Sequence, residues 1–195
     1  LSEGTKKIGD RAFYGCTSLT EITIPQSVTW IDYRVFDACS NLTTFKGNFA
    51  TEDGRLLVNF ESGHLYAIAT KGLTELTIPE GVIYLSFGSL DHTSSIEHLT
   101  LPASLDEVSS IIYNNENIKS ITFKGSPRVY PYIVTYCPNL AGIYFPNATT
   151  PPVIYKYSET TSWDAFVGCP NLKIYVPTSS VNSFKAAEGW KDYAD

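Results

Sequence analysis

One feature governs what this chain can fold into: it repeats itself. The stretch Leu19-Thr20-Glu21-Ile22-Thr23-Ile24-Pro25 carries apolar residues at fixed offsets and ends on proline. Phe13, Cys16, Leu19 and Ile22 recur, in the same order and at the same spacing, as Phe36, Cys39, Leu42 and Phe45. The same core returns at Leu73–Pro79, at Ile96–Pro102, without its proline at Ile118–Phe123, at Leu140–Pro146, and shortened at Leu172–Pro177. A period in the low twenties with leucine-type spacing marks a leucine-rich-repeat solenoid. One coil cannot bury Leu19, Ile22 and Ile24 alone, whereas stacked coils bury them as a continuous core. Ile22-Thr23-Ile24 alternates with period two, so it reads as a short strand with Thr23 outward. The proline that follows cannot donate to a ladder and ends the strand. Parallel strands stacked about 4.8 Å apart over about seven coils would span roughly 30 Å. On the opposite wall, the Arg11–Cys16 type segment, with Ala12-Phe13 and a small or glycine stop, reads as a short helical turn.

The expected fold is therefore right-handed stacked coils, with a parallel β-sheet on one wall and short helical turns or irregular segments on the other. Residues 1–195 form a single repeat domain in this reading. The length, 195 residues, is otherwise enough for one globular domain. The strand cores at Leu42 and Leu73 lie further apart than the period, so extra residues sit between them. Two apolar runs flank a Gly63 turn there, which predicts a β-hairpin insertion at about 48–72, replacing the helical-turn segment. A second expansion between Pro146 and Asp164 is rich in Pro, Thr and Tyr and reads as an irregular loop. Near 111–136 the pattern departs: Val134 stands where Phe is expected, and Asn114 to Asn117 is irregular. Leu1–Ile8 aligns with Ile24–Ile31, so the chain is expected to begin inside a repeat, as a trimmed product whose targeting segment is out of view. At the other end, Val181, Phe184 and Ala187 make an apolar stripe, with Thr178 or Ser179 placed to cap it and Gly189 to stop it. That predicts a helical cap at about 177–195, its helix over 179–188, with Trp190 packed beneath.

The wording of the repeat is itself distinctive. Ile8-Gly9-Asp10-Arg11-Ala12-Phe13-Tyr14-Gly15-Cys16 … Leu19-Thr20-Glu21-Ile22-Thr23-Ile24-Pro25-Gln26-Ser27-Val28-Thr29 resembles the BspA-like leucine-rich repeats of bacterial surface proteins, common in Bacteroides-type organisms. Ile174-Tyr175-Val176-Pro177 … Val181 through Tyr193 is similar to that family's usual C-terminal end. The resemblance covers nearly the whole chain but rests on core and turn residues. It implies the solenoid, an extracellular or cell-surface location and a role in adhesion. Family members often carry such hairpins.

Charge and motifs exclude several functions. Twenty acidic against fourteen basic side chains give a net charge of −6, which lacks the basic face nucleic acid requires. No apolar run approaches the length of a membrane-spanning helix. Gly-x-Ser-x-Gly, phosphate-loop and dinucleotide-binding patterns are all absent. No cofactor is implied, and an enzyme is the least favoured reading. Cys16, Cys39, Cys137 and Cys169 occupy one repeat position and read as an inward-facing ladder of buried free thiols. A Cys16–Cys39 bridge is the alternative, and without a Cys-x-x-Cys pair zinc is disfavoured. His64 in the hairpin turn, His92 and His98 have no partner at metal-binding spacing; His98 has only Glu75 on an adjacent coil. Glu52-Asp53 reads as a turn pair bonding its own backbone.

The outward strand positions are the candidate binding face. One column is Thr23, Lys46, Thr77, Thr100, Thr122, Tyr144 and Tyr175; the other is Glu21, Thr44, Glu75, His98, Ser120, Gly142 and Lys173. Of these, Thr23, Lys46, Thr77, His98, Thr100, Thr122, Tyr144 and Tyr175 are the candidate contacts. Thr columns also suit strand propensity and solubility alone. The change to Tyr in the last two coils, with Tyr130, Tyr132, Tyr136, Tyr155, Tyr157 and Trp163 nearby in sequence, points to recognition. The leading reading is a monomeric module that binds host or bacterial surface proteins. A glycan-binding module using the C-terminal tyrosines and a structural spacer are the alternatives.

Overall fold

A computed structural model describes residues 1–32, 34–85, 90, 95–155 and 164–193. The chain winds as a parallel β-solenoid. Its first wall begins with β1 (Glu21–Ile24) and β2 (Thr44–Gly47), which pair in parallel from Glu21 opposite Thr44 to Ile24 opposite Gly47. A hairpin of β3 (Leu56–Asn59) and β4 (His64–Ile68) follows. The wall resumes as a five-stranded parallel sheet: β5 (Glu75–Thr77), β6 (His98–Leu101), β7 (Ser120–Phe123), β8 (Gly142–Tyr144) and β9 (Lys173–Tyr175). Alternation decides which side chains go inward: in β1, Ile22 and Ile24 are buried while Glu21 and Thr23 face out.

The second wall is made of two-residue strands, Lys7–Ile8 beside Trp30–Ile31 and Glu107–Val108 beside Arg128–Val129. The third wall begins as tight turns. Tyr14 N–H donates to Arg11 O, Cys16 N–H to Phe13 O and Cys39 N–H to Phe36 O, each three residues back. Where the repeat departs from its pattern, this wall becomes strand instead, with Ile112–Tyr113 in parallel with Val134–Thr135. β-branched Val134 in place of Phe suits an extended backbone. The buried Asn115 folds the next turn by accepting the N–H groups of Asn117 and Ile118 on its side-chain oxygen. Recurrent asparagines tie coil to coil: the amides of Asn41, Asn139 and Asn171 donate to Thr17 O, Glu116 O and Pro138 O.

The hairpin does more than replace a turn segment. Its strands are buried on both faces, and among the described residues two apolar clusters meet on it. Leu57, Tyr66, Ala67 and Ala69 belong to the cluster built from Ile8 to Phe45. Leu56, Val58, Leu65 and Ile68 belong to the one that runs on to Trp190. The turn leading into the hairpin takes the place of the next strand beside β2, since Phe45 N–H donates to Gly54 O at 2.7 Å. Gly54 has φ +69°, and a Cβ there would lie 2.9 Å from Phe45 O, so glycine is required for this close approach. Asp53 fixes the turn by accepting from Thr51 Oγ1 (2.6 Å) and Arg55 N–H (3.0 Å).

At the C-terminal end, a 3₁₀ turn at Thr178–Ser180 leads into α1 (Val181–Ala186). The helix is shorter than expected. Ala187 turns to extended backbone (φ −78°, ψ 136°), and neither Thr178 nor Ser179 caps it through a side chain. Instead Ser180 donates its hydroxyl to Ala148 O, pinning the cap to the preceding coil. Trp190 is buried against Phe145, Phe184 and Phe166, and its indole N–H donates to Pro152 O at 2.6 Å.

Two further expectations are corrected. The cysteines do not form an all-buried ladder: Cys39 and Cys137 are buried, Cys169 is half-buried and Cys16 is exposed, and all four are free thiols. The first-coil turn has no coil outside it among the described residues, so the Cys16 position there faces solvent. His64 is not in the hairpin turn but opens β4, opposite Asn59 and beside Tyr84. His92, Tyr157 and Trp163 lie outside the described residues, as do residues 156–163 of the loop before Asp164.

Candidate functional site: the outward face of the first wall

The pairing register lines up the outward columns residue for residue. Thr77, Thr100, Thr122, Tyr144 and Tyr175 stand side by side across the five-stranded sheet. Glu75, His98, Ser120, Gly142 and Lys173 form the second column. Thr23 and Lys46 face each other on the separate β1–β2 pair. The hairpin turn at β2 interrupts the wall, so the structure groups His98, Thr77, Thr100, Thr122, Tyr144 and Tyr175 and leaves Thr23 and Lys46 apart.

The last two coils differ from the rest. The rings of Tyr144 and Tyr175 stack with centroids 4.5 Å apart and planes 6° from parallel, close to the spacing of neighbouring strands. Gly142 makes this possible: a Cβ there would lie 2.5 Å from Tyr144 Cε2, so the ring lies back along its own strand over the glycine. Both tyrosines stay exposed, by 37% and 45%, and present apolar ring surface with a hydroxyl at its end. Among the described residues, the other tyrosines do not join them. Tyr130 stacks on Tyr155 beside the second wall, and Tyr113 meets Tyr136 edge-on along the third.

The polar groups of the face are paired across strands. His98 Nδ1 and Ser120 Oγ lie 2.7 Å apart. Glu75, in register on the other side of His98, makes no hydrogen bond or ion pair with it. The His98–Ser120 pair lies on the outward face of the sheet, and among the described residues no third group hydrogen-bonds His98 as the orienting partner of an activated nucleophile would. Lys46 bonds Glu21 at 2.8 Å and Lys119 bonds Glu97 at 2.6 Å. The Lys119 ammonium holds the Glu97 carboxyl below its ordinary range. Exposed pairs of this kind set register and charge pattern more than stability.

Burial raises the Cys39 thiol, and a hydrogen bond to Cys169 together with burial raises Cys137, while the same hydrogen bond lowers Cys169; a raised thiol is a poor nucleophile, so Cys39 and Cys137 are not poised for reaction. Among the described residues no group of three His, Cys, Asp or Glu side chains is arranged to hold a metal. No described helix is long and apolar enough to cross a membrane.

The sequence reading missed an aromatic row on the second wall. Trp30, Tyr66, His64 and Tyr84 contact one another in turn, at centroid distances of 6.5, 6.4 and 5.0 Å. The repeat pattern carries no signal for this row, because β4 of the hairpin fills the gap between the Trp30 and Tyr84 coils.

A family model described as the BspA type leucine rich repeat region matches residues 1–52 and 64–187 in six copies. The gap between the two stretches falls on β3 and the hairpin turn. No curated protein matches the chain. Among solved structures, a leucine rich cell surface protein from Faecalibacterium prausnitzii A2-165 is similar over 100% of this chain and 55% of its own, at 21% identity and a TM-score of 0.65. The pneumococcal vaccine antigen PcpA is similar over 90% of this chain and 53% of its own, at 16% identity and a TM-score of 0.51. The chain thus spans about half the length of these structures. At such identities the likeness is one of fold.

Proposed function

Since this chain belongs to the BspA-type leucine-rich repeat family, we propose that it is a non-catalytic interaction module of a bacterial cell surface or secreted protein, adhering through protein contacts on the five-stranded face. The observation that carries this reading is the outward, in-register pair of columns ending in the exposed Tyr144–Tyr175 stack. A solenoid presents such a face without a loop or cofactor to organise it, and tyrosine contributes large contact area for little lost rotamer freedom. The cell-surface description of the Faecalibacterium structure supports the proposed location.

The test is binding of the purified chain to immobilised host matrix proteins and bacterial surface proteins by surface plasmon resonance. Thr122→Lys and Tyr144→Ala change the face while leaving the core intact. At least one partner should bind, and both variants should weaken it with unchanged melting temperature. Absence of any protein partner, or variants that bind as tightly as the parent, would overturn the reading. A glycan-binding role is the second reading, favoured by the same stacked rings, since flat aromatic surface packs against sugars. Signal on a glycan array that Tyr175→Ala abolishes would move the assignment there.

A further inference from the structure

Beyond the face, the last coil carries a groove beside its strand. A groove of about 350 Å³ lies along β9, lined by every residue from 172 to 176 on one side. Successive strand residues point to opposite faces, so a groove touching five in a row runs along the backbone edge of the strand. Its other side is the cap, through Val181, Phe184, Lys185, Trp190 and Tyr193. β9 is the outermost strand of the sheet. Inward residues of the preceding coil, Ile143 and Phe145, are fully buried, while their register partners Ile174 and Val176 are only half-buried. The cap therefore covers the end of the core without sealing its edge.

We propose that this edge is a second binding site, which takes an extended peptide segment of a partner protein by strand addition. Main-chain groups along the edge of β9 would pair with the incoming strand, and Ile174, Val176 and Phe184 would receive its alternate apolar side chains. Charge selects the segment. Lys173, an exposed cation on a chain of net charge −6, lines the groove. Within the solenoid, lysines already bond glutamates of the neighbouring coil, as Lys46 with Glu21 and Lys119 with Glu97. The segment so favoured carries Glu or Asp beside Lys173 and apolar residues at alternate positions. This inference rests on the protein-binding reading; the groove shares Lys173 and Tyr175 with the face, and its remaining lining residues lie outside the face.

The probe is a fluorescently labelled synthetic peptide with the sequence of residues 73–80, Leu-Thr-Glu-Leu-Thr-Ile-Pro-Glu. Its Glu75 stands in the same column as Lys173. Fluorescence anisotropy should show saturable binding. Lys173→Glu should weaken it about tenfold, the scale of one lost charge pair. A peptide N-methylated at alternate amides, which leaves the protein's own fold untouched, should not bind. Thr122→Lys, two strands away on the face, should leave peptide affinity unchanged, which separates this test from the one above. No saturation up to about 1 mM, or equal binding of the N-methylated peptide, would overturn the proposal. Sedimentation that showed concentration-dependent dimers abolished by Lys173→Glu would also overturn it, by giving the edge to a second copy.

Discussion

If the hairpin is a wall shared by two cores, the same chemical lesion on its two sides should damage different halves of the molecule. Leu57 and Leu65 are both fully buried, but Leu57 packs into the Ile8–Phe45 cluster and Leu65 into the cluster that runs to Trp190. Truncating either to alanine removes three carbons, worth about 2.4 kcal/mol in transfer at about 0.8 kcal/mol each. Incomplete collapse of the cavity raises this to about 3–4 kcal/mol. For a chain of this size each kcal/mol lowers the melting temperature by about 2–4 °C, so each variant should melt roughly 6–16 °C below the parent. The distinguishing measurement is native-state hydrogen exchange by mass spectrometry. Because each coil contacts only its neighbours, Leu57→Ala should cost protection mainly in peptides before residue 50. Leu65→Ala should cost it mainly in peptides after residue 70. Equal loss of protection throughout the chain in both variants would refute the two-core account.

Other consequences follow from single contacts. Gly142→Ala would push Tyr144 off its resting position, since the new Cβ meets the ring at 2.5 Å; the stack with Tyr175 should break, read as a change in near-ultraviolet circular dichroism with little loss of stability. With a thiol reagent on the folded protein, Cys16 should react at once and Cys169 slowly. Cys39 and Cys137 should react only after denaturation, following their exposure. Acid should loosen two turns. For Asp53, burial acts upward, but the bonds from Thr51 and Arg55 outweigh it and hold the carboxyl below its ordinary range. The Glu80 carboxyl is held low first by the N–H of Ala103 and also by that of Ser104 on the next coil. A depressed carboxylate stabilises above its unfolded pKa, near 4, and that contribution fades as pH falls toward the folded value. Melting temperature should therefore drop as pH falls from about 4 toward 3, and less steeply in Asp53→Asn with Glu80→Gln.

Much of the fold was legible in the sequence. The recurring spacing within each repeat, the apolar alternation and the terminal prolines placed the first-wall strands, and the observed register matches the two outward columns wherever those strands pair. These signals are local: a strand's period of two and a proline's missing donor act within one coil. The stacking order follows because each coil repeats the last. The asparagine bridges from Asn41, Asn139 and Asn171 were also present in the sequence, each just before the repeat's leucine, but the acceptor on the preceding coil gives them their meaning.

Other features depended on contacts between distant segments. The sequence contains two apolar runs and a glycine turn at 53–69, and these determine a hairpin. That both hairpin faces are buried, dividing the core and interrupting the outward wall, depends on what packs against it from each side. The exposure of each cysteine likewise depends on whether another coil lies outside it, so one repeat position yields both buried and exposed thiols. The Tyr144–Tyr175 stack needed Gly142 earlier on the same strand and the neighbouring strand of the next coil to come together. Periodicity within the chain determined the coils. Packing between coils, where the repeat is broken or comes to an end, decided the shape of the surfaces they present.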